Sequence, residues 1–113
     1  MRDRVTTSLY VNALIRRVNQ SGGMALVLRK GDETAGALLL VTLEKGVNTG
    51  VWERAWTPEG MYRWTPISSQ VIENEQEISE LCARRRASDP DLWIVELDIA
   101  NAAQFAVELD GQA

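Results

Sequence analysis

The chain has 113 residues, of which 45% are apolar and 25% are charged, and its formal net charge is −4. This length fits one domain, so we predict a single α+β domain over residues 1–113. The acidic balance argues against nucleic-acid binding, which needs a surplus of cations to neutralise phosphates. No apolar run approaches the ~20 residues that cross a bilayer, so we expect no membrane contact.

Histidine is absent from the sequence, and Cys82 is its one cysteine. The lack of histidine removes the commonest general base and transition-metal ligand, and it excludes Ser-His-Asp and Cys-His catalysis. A single cysteine excludes an internal disulfide and fits a reducing compartment. The first four residues are not followed by the apolar segment of a secretion signal. We therefore predict a cytoplasmic protein with no cofactor, no metal and no catalytic residue.

The first predicted element is a helix over residues 8–20. Its apolar residues follow the i, i+3, i+4, i+7 spacing of one helix face: Val11, Leu14, Ile15 and Val18. Residues 6–8 offer hydroxyl groups that can cap the first turn, and Gly22 with Gly23 ends the segment. A strand over residues 9–11 is the competing interpretation, because aromatic and β-branched residues favour strands.

Four apolar segments then predict two antiparallel hairpins. Residues 24–30 and 35–43 flank a polar turn. The second of these segments is apolar on both faces, which indicates a central strand. Residues 51–56 and 61–67 flank a Thr-Pro-Glu-Gly turn, in which proline presets one dihedral angle and glycine tolerates the close of the turn.

Helical spacing returns at Val71, Ile78, Leu81, Cys82 and Arg85. Glutamates crowd the first half of this segment and arginines its last turn, which complements the helix dipole. Pro90 prevents continuation of the helix. A strand is predicted over residues 92–99, and a short edge strand over residues 105–109. The order is α-β-β-β-β-α-β. We predict a mostly antiparallel sheet of four to six strands with two helices on one face.

Charge of both signs surrounds the turn between the second helix and the strand that follows it. We predict that the candidate binding residues are neighbours there: Arg16 or Arg17, together with Arg29, Arg86, Asp89, Asp91, Trp93 and Glu96. The guanidinium groups of the arginines could bind a phosphate or carboxylate group of a ligand. The alternative is that the arginines offset the helix dipole and form ion pairs with nearby carboxylates of the chain. The carboxylates could hold a metal ion, but an Asx-type turn followed by a solvated strand face explains them more simply.

Aromatic side chains and the cysteine carry two further candidate features. The second hairpin holds Trp52, Trp56 and Trp64. These rings could form a stacking platform for a partner, or they could pack across the strands and hold a small sheet together. Cys82 lies on the apolar stripe of its helix, so we interpret it as a core residue and not as a nucleophile.

Several segments resemble one family of small bacterial proteins. They are residues 8–11, 16–17, 29–32, 35–37 and 86–96. Over about residues 8–108 the chain is similar to the domain-of-unknown-function 1491 family, which is found mainly in alphaproteobacteria. The most specific segment is Arg-Ala-Ser-Asp-Pro-Asp-Leu-Trp at residues 86–93. The family has no established activity, so the resemblance implies a free-standing cytoplasmic domain and transfers no catalytic role.

These observations favour a non-enzymatic binding or assembly module, whose partner is another protein or a second copy of the chain. The absence of histidine and the tryptophan-bearing hairpin support this interpretation. The alternative is an enzyme or a ligand-binding protein that uses the arginines and carboxylates of residues 84–98.

Overall fold

The structure is a computed structural model, and it describes residues 6–67 and 74–111. Its elements are, in chain order, α1 (Thr7–Gln20), β1 (Met24–Arg29), β2 (Leu38–Glu44), β3 (Val47–Trp56), β4 (Tyr62–Pro66), α2 (Glu75–Ser88), β5 (Trp93–Asp98) and α3 (Ala102–Gly111). The five strands form one mostly antiparallel sheet. The predicted α+β class and the predicted number of strands are therefore confirmed.

The first helix is confirmed against the competing strand. The Thr6 hydroxyl accepts a hydrogen bond from the backbone N–H of Leu9 at 3.3 Å and so caps the first turn. The buried residues of α1 lie on one face: Thr7, Tyr10, Val11, Leu14 and Val18. Gly22 follows the helix at a φ of 89°, a conformation that glycine adopts without strain.

The strand order is β1-β5-β2-β3-β4, with β5 antiparallel to β1 and parallel to β2. The predicted hairpin between residues 24–30 and 35–43 is therefore wrong, because β5 lies between these two segments. Trp93, Ile94 and Val95 are all buried. A strand that is apolar on both faces fits the interior of a sheet, and β5 occupies that place beside the equally apolar β2.

The tight hairpin in this part of the chain is β2–β3. Lys45 and Gly46 make its turn at φ values of 52° and 83°. Positive φ at both positions is what a type I′ turn requires, and that turn matches the twist of a hairpin. β3 begins at Val47, earlier than predicted. The predicted hairpin that follows is confirmed as β3–β4, with Trp56 opposite Tyr62.

Helices cover both faces of the sheet. On what we name the first face, α1 and α3 pack on residues that include Leu40 and Val95. On the second face, α2 packs on residues that include Val41 and Ile94. Successive strand residues point to opposite sides, so these neighbours in sequence serve different layers. The prediction that both helices share one face is therefore wrong.

The last predicted strand is a helix, because residues 105–109 lie within α3. Ala102, Phe105, Ala106 and Leu109 follow helical spacing, and all four belong to the core of the first face. The Tyr10 hydroxyl donates a hydrogen bond to the carbonyl of Ala106 at 3.0 Å, which joins α1 to α3. The fold thus has three helices where the sequence predicted two.

Candidate functional site

A cleft of about 990 Å³ opens on the second face between α2 and the sheet. Its floor is apolar and comes from three strands: Leu28, Val41, Leu43 and Ile94. Its wall comes from residues that share one side of α2: Glu75, Ile78, Ser79, Cys82, Ala83, Arg86 and Ala87. Val41 and Ile94 are fully buried beneath the helix, whereas Leu28 and Leu43 are only half-buried, so the open part of the floor lies over these two residues.

α2 is fixed by its ends and by an ion pair to the sheet. The Asn74 side chain accepts a hydrogen bond from the backbone N–H of Gln76 at 2.8 Å and caps the helix. Arg85 forms an ion pair with Glu53 on β3. The cleft opens on the other side of the helix, and its sheet lining comes from β1, β5, β2 and the start of β3. Val71, which the spacing assigned to this helix, lies outside the described residues.

Arg29 and Arg86 line the cleft near the beginning of β5. Nη1 of Arg86 donates a hydrogen bond to the carbonyl of Leu92 at 3.3 Å, and Nη1 of Arg29 donates to the carbonyl of Leu28 at 2.8 Å. Within residues 6–67 and 74–111, neither guanidinium forms an ion pair with a carboxylate. Both positive charges are therefore open to an anionic group in the cleft.

Glu75 and Glu96 line the opposite end of the cleft. A short turn joins α2 to β5, so the two run antiparallel and the first turn of α2 lies toward the end of β5. Burial raises the pKa of Glu96, and the charges of Asp98 and Glu75 raise this pKa further. Asp98 itself is engaged, since its carboxylate accepts hydrogen bonds from the backbone N–H groups of Lys45 and Gly46 at 2.8 and 2.9 Å. The cleft therefore has a cationic end, an apolar middle and an acidic end.

The raised pKa of Glu96 predicts that this carboxylate lowers stability as the pH rises above 4.5, the ordinary value for glutamate. Below 4.5 the carboxyl is protonated in the folded and the unfolded states alike. Above it the unfolded state ionises first, so the folded state loses relative stability until its own, higher pKa is passed. We expect Glu96→Gln to be more stable than the wild type at neutral pH and equally stable at about pH 3.5.

Urea unfolding at both pH values measures this difference. Glu108→Gln is the matched control, because Glu108 is an exposed glutamate of α3. Equal effects of the two substitutions at neutral pH would show that the environment of Glu96 imposes no penalty on its charge.

Cys82 lies half-buried in the wall of the cleft. Burial raises the pKa of its thiol, while the charge of Arg29 lowers this pKa and that of Glu96 raises it. The thiolate is the nucleophilic form, and a raised pKa leaves little of it at neutral pH. The structure therefore supports a packing role for Cys82.

Asp89, Asp91 and Trp93 tie the turn before β5 to the loop after β1. The Asp89 carboxylate accepts a hydrogen bond from the N–H of Asp91 at 3.1 Å, as in an Asx turn. The Asp91 carbonyl accepts one from the N–H of Asp32 at 3.0 Å. The buried Trp93 donates its ring N–H to the carbonyl of Asp32 at 2.7 Å. These three residues hold the connection together and do not line the cleft.

The structure brings together part of the predicted set of binding residues. Arg29, Arg86 and Glu96 line one cleft. Arg16 and Arg17 lie on α1, which packs on the first face, so the sheet separates them from that cleft. The sequence could not place these two arginines, because the side of the sheet that each helix covers depends on the order of the strands.

The aromatic hairpin contributes mainly to the core of the first face. Trp52 donates its ring N–H to Oγ1 of Thr42 at 3.2 Å, and Trp64 donates to a carboxylate oxygen of Asp110 at 2.8 Å. Trp56 remains 46% exposed and meets the ring of Tyr62 edge to face, with 4.8 Å between the ring centroids. Two of the three rings thus donate hydrogen bonds within the first face, and the third packs against Tyr62.

A buried ion pair between Arg54 and Asp110 was not predicted. Nη2 of Arg54 lies 2.6 Å from Oδ1 of Asp110, and Arg54 is only 7% exposed. The guanidinium lies over the rings of Tyr10 and Tyr62, at 3.7 and 3.4 Å from their centroids. Burial, followed by the charge of Asp110, raises the pKa of Tyr10. One signal in the sequence could have indicated the position of Arg54. Trp52, Arg54 and Trp56 alternate along the strand, so Arg54 shares a strand face with two tryptophans.

Two further properties follow from the described part of the chain. Within it, no group of three His, Cys, Asp or Glu side chains is arranged to hold a metal ion. None of the helices that it contains is both long enough and apolar enough to cross a membrane.

The chain is similar to three solved structures. A crystal structure of a DUF1491 family protein from Caulobacter crescentus is 30% identical, with a TM-score of 0.77, covering 90% of this chain and 94% of the other. An NMR structure of a DUF1491 family protein from the same species is 29% identical, with a TM-score of 0.78, covering 92% and 94%. The solution structure of Atu0922 from A. tumefaciens is 30% identical, with a TM-score of 0.66, covering 85% and 86%.

No protein among the curated sequences matches the chain. The model of the family described as "Protein of unknown function (DUF1491)" matches residues 5–107. This match covers almost the whole sequence, and two of the similar structures carry the same family name. The chain therefore belongs to the DUF1491 family, a family of unknown function.

Proposed function

We propose that this protein is a non-enzymatic binding module that receives a partner protein on the second face of its sheet, beside α2. The observation that carries the proposal is the open cleft beside α2, whose apolar floor includes side chains that the helix leaves partly exposed, those of Leu28 and Leu43. Further apolar side chains on this face are exposed. Met24 and Leu26 on β1, beside the cleft, are 74% and 56% exposed, and Val47, which lines the cleft, is 64% exposed. Exposed large apolar side chains around a cleft mark interaction sites in soluble proteins.

The chemistry of the cleft supports binding more than catalysis. The sequence contains no histidine, and the raised pKa of Cys82 keeps its thiol protonated. Asp98, the carboxylate nearest to Glu96 in sequence on β5, is occupied by the β2–β3 turn. An acid/base pair of carboxylates would need a second free group at that place.

The alternative is a small-ligand site or an enzyme that uses Arg29, Arg86 and Glu96, which share the cleft. A thermal-shift screen against divalent metals, nucleotides and phosphorylated metabolites distinguishes the two functions. A ligand at about 100 times its Kd stabilises the folded state by about 2.7 kcal/mol. A shift that Arg86→Gln abolishes would favour the alternative, and no shift with any compound favours the binding module.

The proposed function predicts that a charge on the apolar surface beside the cleft prevents partner binding. We expect Leu26→Asp to reduce the amount of partner retained from cell extract about tenfold, because a buried unpaired charge penalises an apolar contact. Leu9→Asp is the matched control, since Leu9 is 61% exposed on α1 and faces away from the cleft. Quantitative mass spectrometry of the retained proteins compares both variants with the wild type.

Light scattering on the purified protein completes the test. Leu26 is exposed but lies opposite Glu96 on β5, so Leu26→Asp should lower the melting temperature slightly, because like charges face each other, while both variants stay folded at the temperature of the assay. Proteins retained equally by all three forms would contradict the proposed face. A strict monomer that retains nothing would contradict a binding module altogether.

A further inference from the structure

We propose that the cleft beside α2 receives an amphipathic α-helix of a partner protein, which lies along α2 with a carboxylate at the Arg29 and Arg86 end and a cation at the Glu75 and Glu96 end. This inference rests on the proposed function and specifies the shape and charge of the partner. Four observations support it. They concern the helices that cover each face of the sheet, the side chains of α2, the backbone hydrogen bonds that an occupant needs, and the charges along the cleft.

The two faces of the sheet are covered unequally. Two helices, α1 and α3, pack on the first face, whereas α2 alone packs on the second within the described residues. α2 contacts β3 through the Arg85–Glu53 ion pair. The edge of this face over β1 is left open, and Leu26 of β1 is 56% exposed there. On the first face, two helices lie side by side. On the second face, the open strip next to α2 is the place where a second helix would lie in the same way.

The wall of α2 is suited to contact with another helix. Ser79, Cys82, Ala83 and Ala87 are small, and they lie on one side of α2 at i, i+3, i+4 and i+8. Packed helices approach to about 8–10 Å between their axes, and the shorter distances need small side chains at the contact. Larger side chains here would have filled the cleft and completed the cover of the sheet by α2 itself.

A helix satisfies its own backbone, and this decides between the possible occupants. The floor of the cleft is the face of the sheet, whose backbone groups are already paired within the strands. An extended peptide on this floor would leave its own N–H and C=O groups without partners, and each such buried group is costly. An extended peptide would instead pair with the free edge of β1.

The charges of the cleft define the ends of the occupant. Glu75 and Arg86 lie eleven positions apart on α2, which corresponds to roughly 16 Å or three helical turns. At one end Arg29 and Arg86 form no ion pair with any described carboxylate. At the other end the carboxylate of Glu96 is crowded by Glu75 and Asp98. A fatty acid could neutralise the arginines, but it would bury the acidic end without a cation.

Three synthetic peptides test the proposal against the full-length protein. Each has about 14 residues, one apolar stripe at i, i+3, i+4 and i+7, and a lactam on the polar side that keeps it helical. One peptide has an acidic and a basic end, the second has two acidic ends, and the third has two basic ends. NMR titration that follows the signals of Leu28, Val41 and Ile94 reports the site and the Kd.

We expect the peptide with opposite charges at its ends to bind about tenfold more tightly than either of the others. It does not matter whether the acidic end is the amino or the carboxyl end of the peptide, because the helix can lie along α2 in either direction and so match both ends of the cleft. Arg29→Glu should shift the preference toward the peptide with two basic ends. Arg84→Glu is the matched control, since Arg84 is exposed on α2 and does not line the cleft.

Several results would overturn the proposal. Equal affinities of the three peptides would show that charge does not determine binding. NMR signals that shift on the first face, instead of in the cleft, would show that the proposed site is wrong. Equal binding by a peptide that keeps the charged and apolar residues but has proline at a central polar position would show that the occupant is not helical. A dimer of the chain that dissociates when peptide is added would identify the occupant as a second copy. If the peptides fail but Leu26→Asp still prevents partner retention, only the helix is excluded; if Leu26→Asp changes nothing, the proposed function fails.

Discussion

Asp110→Ala is expected to lower the free energy of unfolding by about 3–5 kcal/mol, because it leaves a buried guanidinium without its counter-charge. The Arg54 side chain is 6% exposed and the Asp110 side chain 14% exposed. The Asp110 carboxylate also accepts the ring N–H of Trp64 at 2.8 Å. The substitution therefore breaks the contacts that join β3 and β4 to the end of α3.

Urea unfolding measures this loss of stability. Two other variants show how much of the loss comes from the buried charge. Glu33→Ala removes the exposed Lys30–Glu33 pair, in which both side chains are more than half exposed, and we expect it to cost less than about 1 kcal/mol. The double substitution Arg54→Met with Asp110→Leu should be more stable than Asp110→Ala alone, since no single charge stays buried. If Asp110→Ala costs no more than Glu33→Ala, the buried pair does not hold α3 in place.

Local patterns in the sequence were sufficient for the elements whose causes are local. The spacing of Val11, Leu14 and Val18 predicts α1, and a hydroxyl before it caps the helix. The Pro-Glu-Gly turn predicts the β3–β4 hairpin. Residues 38–41 are apolar in succession, which predicts a strand buried on both faces, and β2 is that strand.

Pairing between distant segments was beyond the sequence patterns. The position of β5 between β1 and β2 joins residues far apart in the chain, and no turn residue records it. This error determined the others, because the strand order decides which helix covers which face. The α3 error differs in kind. The spacing of Ala102, Phe105, Ala106 and Leu109 was a helical signal, but the apolar run of residues 105–109 also suits a strand.

The candidate site shows the same division. Charge around the helix-to-strand turn drew attention to Arg29, Arg86 and Glu96, which line one cleft. The cleft itself depends on how α2 lies across the sheet, and this position involves contacts between distant parts of the chain, such as the Arg85–Glu53 pair and the packing of Ile78 on the second face. Arg54 and Asp110 are 56 positions apart, so no spacing rule could connect them.

The second large effect is expected at Gly31, where Gly31→Ala should lower the free energy of unfolding by about 3 kcal/mol. A Cβ at this position would lie 2.1 Å from the carbonyl oxygen of Asp91 and 2.7 Å from the carbonyl carbon of Leu92. Both contacts are backbone atoms that cannot turn away. A Cβ at Gly36 would meet the same Asp91 oxygen at 2.3 Å, so two glycines pack around one carbonyl.

Hydrogen bonds fix both sides of this contact, which is why the clash should be expensive. The N–H of Asp32 donates to the Asp91 carbonyl at 3.0 Å, and the ring N–H of Trp93 donates to the Asp32 carbonyl at 2.7 Å. The segments that carry the family resemblance, residues 29–32, 35–37 and 86–96, meet at this point.

Gly111→Ala is the matched control for Gly31→Ala. No atom lies within 4 Å of a Cβ placed at Gly111, and the residue belongs to the last turn of α3. Alanine favours a helix more than glycine does, so this substitution should change stability by no more than about 1 kcal/mol, in the stabilising direction. Urea unfolding of both variants at neutral pH decides the matter. Equal stabilities of the two variants would mean that the loop after β1 can move away from the turn before β5 at little cost in free energy. The contact between this loop and this turn would then not determine the shape of the turn.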